Sequence, residues 1–260
     1  MNTNSNIYTL VYTAVIVIVV AALLTFASLG LKSRQDANIK AETISQMLSA
    51  AQISSKEALS ELSNEQILGE YAKYAKEAYT IDYKGNKLRD LAHSGGKVEL
   101  ADGLKAQNSL LKKGKSEKLE LPVYVFSSGG RELTVVPVYG AGLWGPVWGY
   151  LAFEPDMKTL AGAYFDHESE TPGLGAKIKD DPGFREAFKG KRADFGAPAA
   201  FEILKGAQAE NAVDAITGAT MTSRGLGEAI ASWLEAYKPF FAKASAPIAP
   251  EAAADSTLTN

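Results

Sequence analysis

The feature that most constrains this chain is an apolar run near its N-terminus. Ile7 to Leu31 comprises 25 residues without a charge. As a helix, at about 1.5 Å per residue, this run is longer than the roughly 30 Å hydrocarbon core of a bilayer. A cleaved signal peptide is the competing interpretation, but no basic residue precedes the run and no Ala-x-Ala site follows it. We therefore predict a short leading segment at 1–6 and one uncleaved transmembrane helix at 7–31.

The charges beside this span give little information about orientation. Lys32 and Arg34 follow the run, and no Lys or Arg precedes it. The positive-inside rule would then place the large domain in the cytoplasm, but the rule weakens for long translocated domains. The charge count alone leaves the orientation open.

Composition excludes several classes of chemistry. The 260 residues carry a net charge of −3 and include no cysteine. The charge balance gives no reason to propose nucleic acid as a partner. Without cysteine there is no disulfide, thiolate-bound cluster or thiol nucleophile, so redox chemistry requires a bound organic cofactor. The two histidines, His93 and His167, have no spacing typical of a metal site, and we expect both at the surface.

Apolar periodicity predicts helices on both sides of a β-rich region. Spacings of three and four predict a helical stalk over 32–62, a helix from Asn64 to Ala78, and a final helix whose apolar face includes Leu226 and Trp233. A further short helix is expected from Asp181 to about Phe188, with proline in its first turn.

The central region reads as an antiparallel sheet of about four strands. The runs rich in β-branched and aromatic residues are 119–126, 133–139, 147–153 and 159–165. A tight turn at 83–87 joins two shorter strands, and one more strand is expected at 201–204. We predict an α+β domain over 63–243, with helices flanking the sheet. We predict a loop-rich stretch over 98–116 and a disordered tail over 244–260.

The stretch most typical of a functional site is 214–223, DAITGATMTS, directly before the last predicted helix. Glycine and small hydroxyl residues at a helix start let backbone N–H groups hold a phosphate. A four-residue match such as TGAT is, by itself, usually a plain turn between strand and helix. The residues alone therefore allow a phosphate cradle, a covalent anchor or a structural loop.

This stretch resembles a known family motif. Asp214-x-x-Thr217-Gly-Ala-Thr220 is similar to the flavinylation motif of the FMN-binding domains in sodium-translocating NADH:quinone reductases and their Rnf relatives. The resemblance implies that FMN is attached to Thr220 by a phosphoester bond, which a dedicated flavin transferase makes from FAD. Asp214 would serve the transferase step or cap the turn. The implied cradle around the phosphate consists of Thr217, Gly218, Ala219 and Thr222.

Three other segments extend the resemblance, each with a simpler alternative. Glu170-Thr171-Pro-Gly-Leu174-Gly175 is similar to the family segment that lies against the isoalloxazine ring, although alone it is a proline–glycine turn. In the segment 140–150, Trp144 would stack near the flavin or pack in the core. Lys205, after the strand at 201–204, would balance the phosphate charge or be solvated.

Length and the GLWGPVWG segment are more similar to the C subunit of the sodium-translocating reductase than to its Rnf counterpart. The resemblance implies an electron relay within a membrane complex of several partner proteins, from an iron–sulfur centre to a second covalent FMN on the B subunit. It also implies a single-pass protein of the bacterial inner membrane with a periplasmic domain. The alternatives are the Rnf counterpart and a non-redox membrane scaffold without flavin.

Overall fold

The structure is a computed structural model that describes residues 6–93, 98–101 and 103–245. The predicted tail beyond residue 245 and most of the predicted leading segment lie outside the described residues.

The first element is a single long helix. Helix α1 spans Asn6–Ala50, and within the described chain it is the one helix long and apolar enough to cross a membrane by length and composition. The membrane-length window has a mean hydropathy of 2.7 and is not buried by the rest of the chain. The last turns are different, because Ile44, Met47 and Leu48 are fully buried against the domain.

The predicted helix over 32–62 is interrupted. Helix α1 ends at Ala50, Gln52 adopts a φ of 55°, and a separate helix α2 spans Lys56–Ser60. Ser55 caps the new helix by accepting a hydrogen bond of 3.2 Å from the amide of Ala58. The local cap therefore starts a new helix where the apolar pattern suggested continuity.

The next predicted helix is shorter than expected. Helix α3 spans Asn64–Tyr74 and is capped by Ser63, whose capping box with Gln66 fixes the start. The prediction that it continues to Ala78 is wrong, since Ala75–Ile81 forms strand β1. This strand pairs with strand β3 (Leu121–Ser128). Strand pairing overrides the helical pattern here.

A six-stranded antiparallel sheet forms the centre of the domain, in the order β2-β1-β3-β4-β5-β6. The remaining strands of this sheet are β2 (Lys87–Asp90), β3 (Leu121–Ser128), β4 (Arg131–Ala141), β5 (Pro146–Phe153) and β6 (Leu160–His167). The four predicted strands are present, and β1 and β2 extend them. The tight turn joining β1 and β2 is confirmed, with Gly85 at a φ of 75°. The α+β prediction is confirmed.

The predicted loop-rich stretch contains a helix that the sequence analysis missed. Helix α4 spans Leu104–Lys112, and a 3-10 turn spans Ser116–Lys118. Leu104, Leu110 and Leu111 pack against the core, so the helix is fixed by tertiary contacts. Its short length and frequent lysines concealed the apolar face in the sequence.

Helices cover both faces of the sheet. The last turns of α1 and helix α3 cover one face, while the long final helix α7 (Thr220–Ala244) crosses the other. The remaining elements are α5 (Lys177–Asp180), α6 (Pro182–Glu186), the parallel pair β7 (Glu202–Leu204) and β8 (Ala212–Asp214), and α7 (Thr220–Ala244). Alternate side chains of β3 to β6 point to opposite faces, and these strands are buried on both sides because helices cover both faces.

The segments predicted from the sequence to form the site lie together at one end of the sheet. The turn between β4 and β5, the end of β6 and the start of α7 all lie there, since Gly225 of α7 approaches Ala141 at the end of β4. Helix α1 runs antiparallel to β6, with Gln46 beside Asp166 and Ala50 beside Gly162. The apolar part of α1 therefore leaves the domain from this same end.

Candidate functional site

The TGAT turn is held in a tight conformation between β8 and α7. The amide of Ile216 donates to Ser223 Oγ at 3.0 Å, and the amide of Ala219 donates to the carbonyl of Ile216 at 3.0 Å. Gly218 adopts a φ of 82°, a left-handed conformation that glycine takes without strain. These bonds fix Thr220 as the first residue of α7.

The N-terminus of α7 is open to a ligand. Its N-cap residue is Ala219, and no side chain caps the first turn. Thr220 is exposed. Helix dipole and first-turn amides favour an anion at such an end.

A cavity of about 430 Å³ adjoins this helix start. Strand β7, the TGAT turn and the first turns of α7 line it, and both Thr217 and Thr220 contribute. Lys205 and Arg224 also line the cavity, and neither has an ion-pair partner among the residues that the structure describes. Arg224 was not predicted as a site residue, although its position four residues after Thr220 places both on one helix face.

Beneath the surface, Glu170 connects three segments of the site. Its Oε2 accepts a hydrogen bond of 2.6 Å from Thr222 Oγ1, and its Oε1 accepts one of 2.9 Å from the amide of Trp144. Glu170 is 5% exposed and Thr222 is 1% exposed. Two residues that were expected to face a ligand therefore form the buried support of the site.

Two glycines make room for this carboxylate. A Cβ on Gly142 would come within 2.3 Å of Glu170 Oε1, and one on Gly175 would come within 2.4 Å of Glu170 Oε2. Both distances are far below van der Waals contact, so any larger residue would displace Glu170. Gly175 of the ETPGLG segment is thus required for close packing, and its φ is not in the left-handed region.

An exposed apolar rim is formed by the first turn of α7 and by the two segments that Glu170 joins to it. Leu174 lies against Gly218, since its Cδ2 is 3.0 Å from the position that a Cβ of Gly218 would take. The large apolar side chains of the rim, with their exposed fractions, are Leu143 (50%), Trp144 (67%), Leu174 (43%) and Met221 (51%). Trp144 is therefore not a core residue, and the rim offers exposed apolar surface against which an aromatic ring can pack.

The remaining predicted residues have supporting positions. Asp214 is exposed and its Oδ1 accepts a hydrogen bond of 3.0 Å from the amide of Ala207, which caps the loop between β7 and β8. The carbonyl of Thr171 accepts from the amides of Leu174 and Ala176, both at 3.1 Å. The expectation that His167 is a surface residue is wrong, since it is half-buried and its Nδ1 accepts from the amide of Glu170 at 3.1 Å.

Comparison with known proteins relates this site to a family. A family described as FMN-binding domain matches residues 142–235, which include Trp144, the ETPGLG segment and the TGAT turn. The C subunit of the Na(+)-translocating NADH-quinone reductase of Vibrio anguillarum is 30% identical over 244 residues, which cover 87% of this chain and 90% of that protein. The chain belongs to the family of C subunits of Na(+)-translocating NADH-quinone reductases.

Other C subunits give the same result. The protein of Chlamydia muridarum is 38% identical over 133 residues, which cover 43% of this chain and 42% of that protein. The crystal structure of the C subunit from Parabacteroides distasonis superposes with a TM-score of 0.66 at 30% identity, covering 81% of this chain and 96% of that one. The resemblance inferred from the two motifs is confirmed, as is the preference for the C subunit over its Rnf counterpart.

Proposed function

We propose that this chain carries FMN covalently, through a phosphoester bond to Thr220, and relays electrons in a sodium-translocating NADH:quinone reductase. The observation that carries the proposal is the exposed hydroxyl of Thr220 at the uncapped N-terminus of α7, inside the matched FMN-binding domain. The hydroxyl is accessible, and the site beside it suits a phosphate.

The phosphate would be held by backbone and by charge. The first-turn amides of α7 supply donors, and Lys205 and Arg224 supply positive charge from the cavity wall. Thr217 and Gly218 border the same space, while Ala219 forms the N-cap. This arrangement supports the predicted cradle, except that the hydroxyl of Thr222 is turned inward to Glu170.

The flavin ring would lie on the apolar rim. Trp144, Leu174 and Met221 are exposed around the turn and can cover an aromatic face. When bound, FMN supplies the redox chemistry, accepting and passing on electrons. The protein's own contribution is to fix the phosphate end, support the rim through Glu170 and shield part of the ring from water.

Attachment requires an activated donor. A flavin transferase would use FAD: the Thr220 oxygen displaces AMP from the flavin-side phosphorus, the pyrophosphate P–O bond breaks, and the hydroxyl proton is released. Asp214 would contribute through the loop between β7 and β8, which it caps.

The position of α1 supports exchange of electrons with membrane partners. Its apolar part leaves the domain at the end of the sheet where the candidate site lies. Anchored by this helix in the bacterial inner membrane, with the domain in the periplasm, the site would face the membrane and the other proteins of the complex.

The first experiment tests attachment. The full chain, co-expressed with a flavin transferase, should give a fluorescent band on a denaturing gel, and its intact mass should increase by one FMN residue. Thr220→Ala should lose both signals. Thr217→Ala is the matched control, since Thr217 is also exposed and lines the same cavity, and it should keep them. Absence of the fluorescent band would contradict covalent attachment of FMN and would favour the alternative of a non-redox membrane scaffold.

The second experiment tests orientation. The chain contains no cysteine, so a single Ser127→Cys substitution at an exposed strand position gives one unique thiol. In intact spheroplasts, a membrane-impermeant maleimide should label this thiol. Labelling only after membrane disruption would place the domain in the cytoplasm.

A further inference from the structure

A buried carboxylate that the proposed function does not use lies at the end of β6. Asp166 is 4% exposed. Lys179 Nζ lies 2.8 Å from its Oδ1 and 2.9 Å from its Oδ2, and the amide of His167 donates to Oδ1 at 2.8 Å. Gln46 Nε2, from helix α1, donates to Oδ2 at 2.8 Å. Asp166 is therefore satisfied by three elements of the fold, of which one is α1.

The ion pair closes the base of the ETPGLG segment. Asp166 precedes this segment at the end of β6, and Lys179 follows it on α5. Every residue between them, including Glu170 and Leu174, belongs to the loop that the pair closes. A carboxylate bonded to a cation and two further donors in a buried position holds such a loop closed more strongly than neutral hydrogen bonds would.

The bonds continue from this pair to the start of α7. His167, the residue after Asp166, accepts from the amide of Glu170 through its Nδ1 at 3.1 Å. Glu170 then accepts from Thr222 Oγ1 at 2.6 Å, two residues after Thr220. On the other side, Gln46 Oε1 accepts from Trp148 Nε1 at 3.3 Å. A contiguous series of hydrogen bonds thus joins α1 to the candidate flavin site.

We propose that Asp166 is a positioning residue through which helix α1 sets the geometry of the ETPGLG loop and of the α7 start. The coupling between α1 and the loop does not depend on the proposed function. Only the effect of Asp166 on bound FMN rests on it. A displacement of α1 at Gln46 changes the bonding of Asp166 directly. The loop that supports the apolar rim would respond, because Asp166 and Lys179 fix both of its ends.

Hydrogen exchange of the full chain in detergent tests the coupling. The amides to follow are Trp144 and those of 170–176, in Asp166→Asn and in Gln46→Leu. We expect exchange to be about tenfold faster in both variants, roughly the effect of one lost hydrogen bond to a charged group. Lys40→Met is the matched control on α1, since Lys40 donates to the carbonyl of Val98 at 2.8 Å and does not touch Asp166.

Unchanged exchange in Gln46→Leu, or the same increase in Lys40→Met, would overturn the proposal. The measurement is repeated in Thr220→Ala, which lacks the proposed attachment point. It therefore decides the coupling even if no FMN is attached, and failure of the proposed function is seen separately on the fluorescent gel. Should Asp166→Asn fail to fold, Gln46→Leu carries the test alone.

Two further measurements separate positioning from general stability. In the FMN-loaded protein, Asp166→Asn and Lys179→Met should each shift the visible absorption band of the flavin. Lys179→Arg keeps the cation and should keep the wild-type spectrum. A double-mutant cycle between Gln46→Leu and Lys179→Met should be non-additive for exchange of 170–176. Strict additivity, or a spectrum unchanged in Asp166→Asn, would reduce Asp166 to a structural residue.

Discussion

Glu170 and Thr222 share a buried hydrogen bond of 2.6 Å although 52 residues separate them. The carboxylate belongs to the ETPGLG segment and the hydroxyl to the first turn of α7. Through this bond the two motifs that identify the family become one structure. Glu170 also accepts from the amide of Trp144, so the third motif is attached to the same carboxylate.

Removing the Thr222 hydroxyl should destabilise the domain. In Thr222→Val the shape is kept but Glu170 Oε2 loses its donor in a buried position, which costs about 1–3 kcal/mol in the free energy of unfolding. Urea unfolding of the full chain in detergent measures the loss. Thr222→Ser keeps the donor and should stay near the wild-type value. An unchanged free energy of unfolding in Thr222→Val would show that the bond to Glu170 does not stabilise the domain.

The glycines that enclose Glu170 should not tolerate a methyl group. Gly142→Ala and Gly175→Ala each bring a Cβ within 2.4 Å of a carboxylate oxygen, and we expect a cost of about 1–3 kcal/mol from overpacking. Gly69→Ala in helix α3 is the control, since a Cβ there meets no atom within 4 Å. This control should gain roughly 0.5–1 kcal/mol from helix propensity. Thermal unfolding midpoints rank the three variants.

Two of the three tryptophans, Trp144 and Trp233, should differ in acrylamide quenching because their exposure differs. Trp144 is 67% exposed while Trp233 is fully buried and donates to the carbonyl of Tyr139 at 2.8 Å. Trp144→Phe should therefore remove most of the acrylamide-quenchable emission and leave the unfolding midpoint unchanged. Trp233→Phe should keep the quenchable emission and lose about 1–3 kcal/mol, because the carbonyl of Tyr139 loses its donor. A stability loss in Trp144→Phe would place that side chain in the core.

The ion pair between Glu42 and Lys56 should stabilise the end of α1 in a pH-dependent way. Burial raises the pKa of Glu42, but Lys56 at 2.5 Å, with smaller contributions from Gln46 and Lys179, outweighs it and leaves the pKa below its usual value. Burial lowers the pKa of Lys56, but the hydrogen bonds and charges of Glu42 and Tyr164 together outweigh that effect and raise it. Both groups are therefore charged at neutral pH.

The sign of the pH dependence follows from these directions. The contribution of Glu42 is present above its unfolded pKa and is lost as the pH falls through the lowered folded pKa. Lys56→Met should then cost about 1 kcal/mol at neutral pH and progressively less in acid. Urea unfolding at pH 7 and near pH 3 tests this. Lys189→Met, at an exposed position without an ion pair among the described residues, should show no such difference.

The sequence determined the apolar span, the four central strands, the final helix and the two family motifs. These features depend on local patterns: an uncharged run, alternation along strands, spacings of three and four, and glycine with hydroxyl residues at a helix start. Such patterns involve residues that are close in sequence, so they can be recognised without knowledge of the fold. The family resemblance could be recognised for the same reason, because each motif is a short contiguous segment.

The tertiary structure decided what lies between those signals. Ala75–Ile81 forms a strand because β3 pairs with it. Helix α4 is stabilised because its leucines pack against the core. The bond from Thr222 to Glu170, the exposure of Trp144 and the contribution of Arg224 each depend on residues far apart in sequence. So does the link from Gln46 to Asp166. Contacts of this kind arise only when the sheet brings distant segments to one end, and no local pattern encodes them.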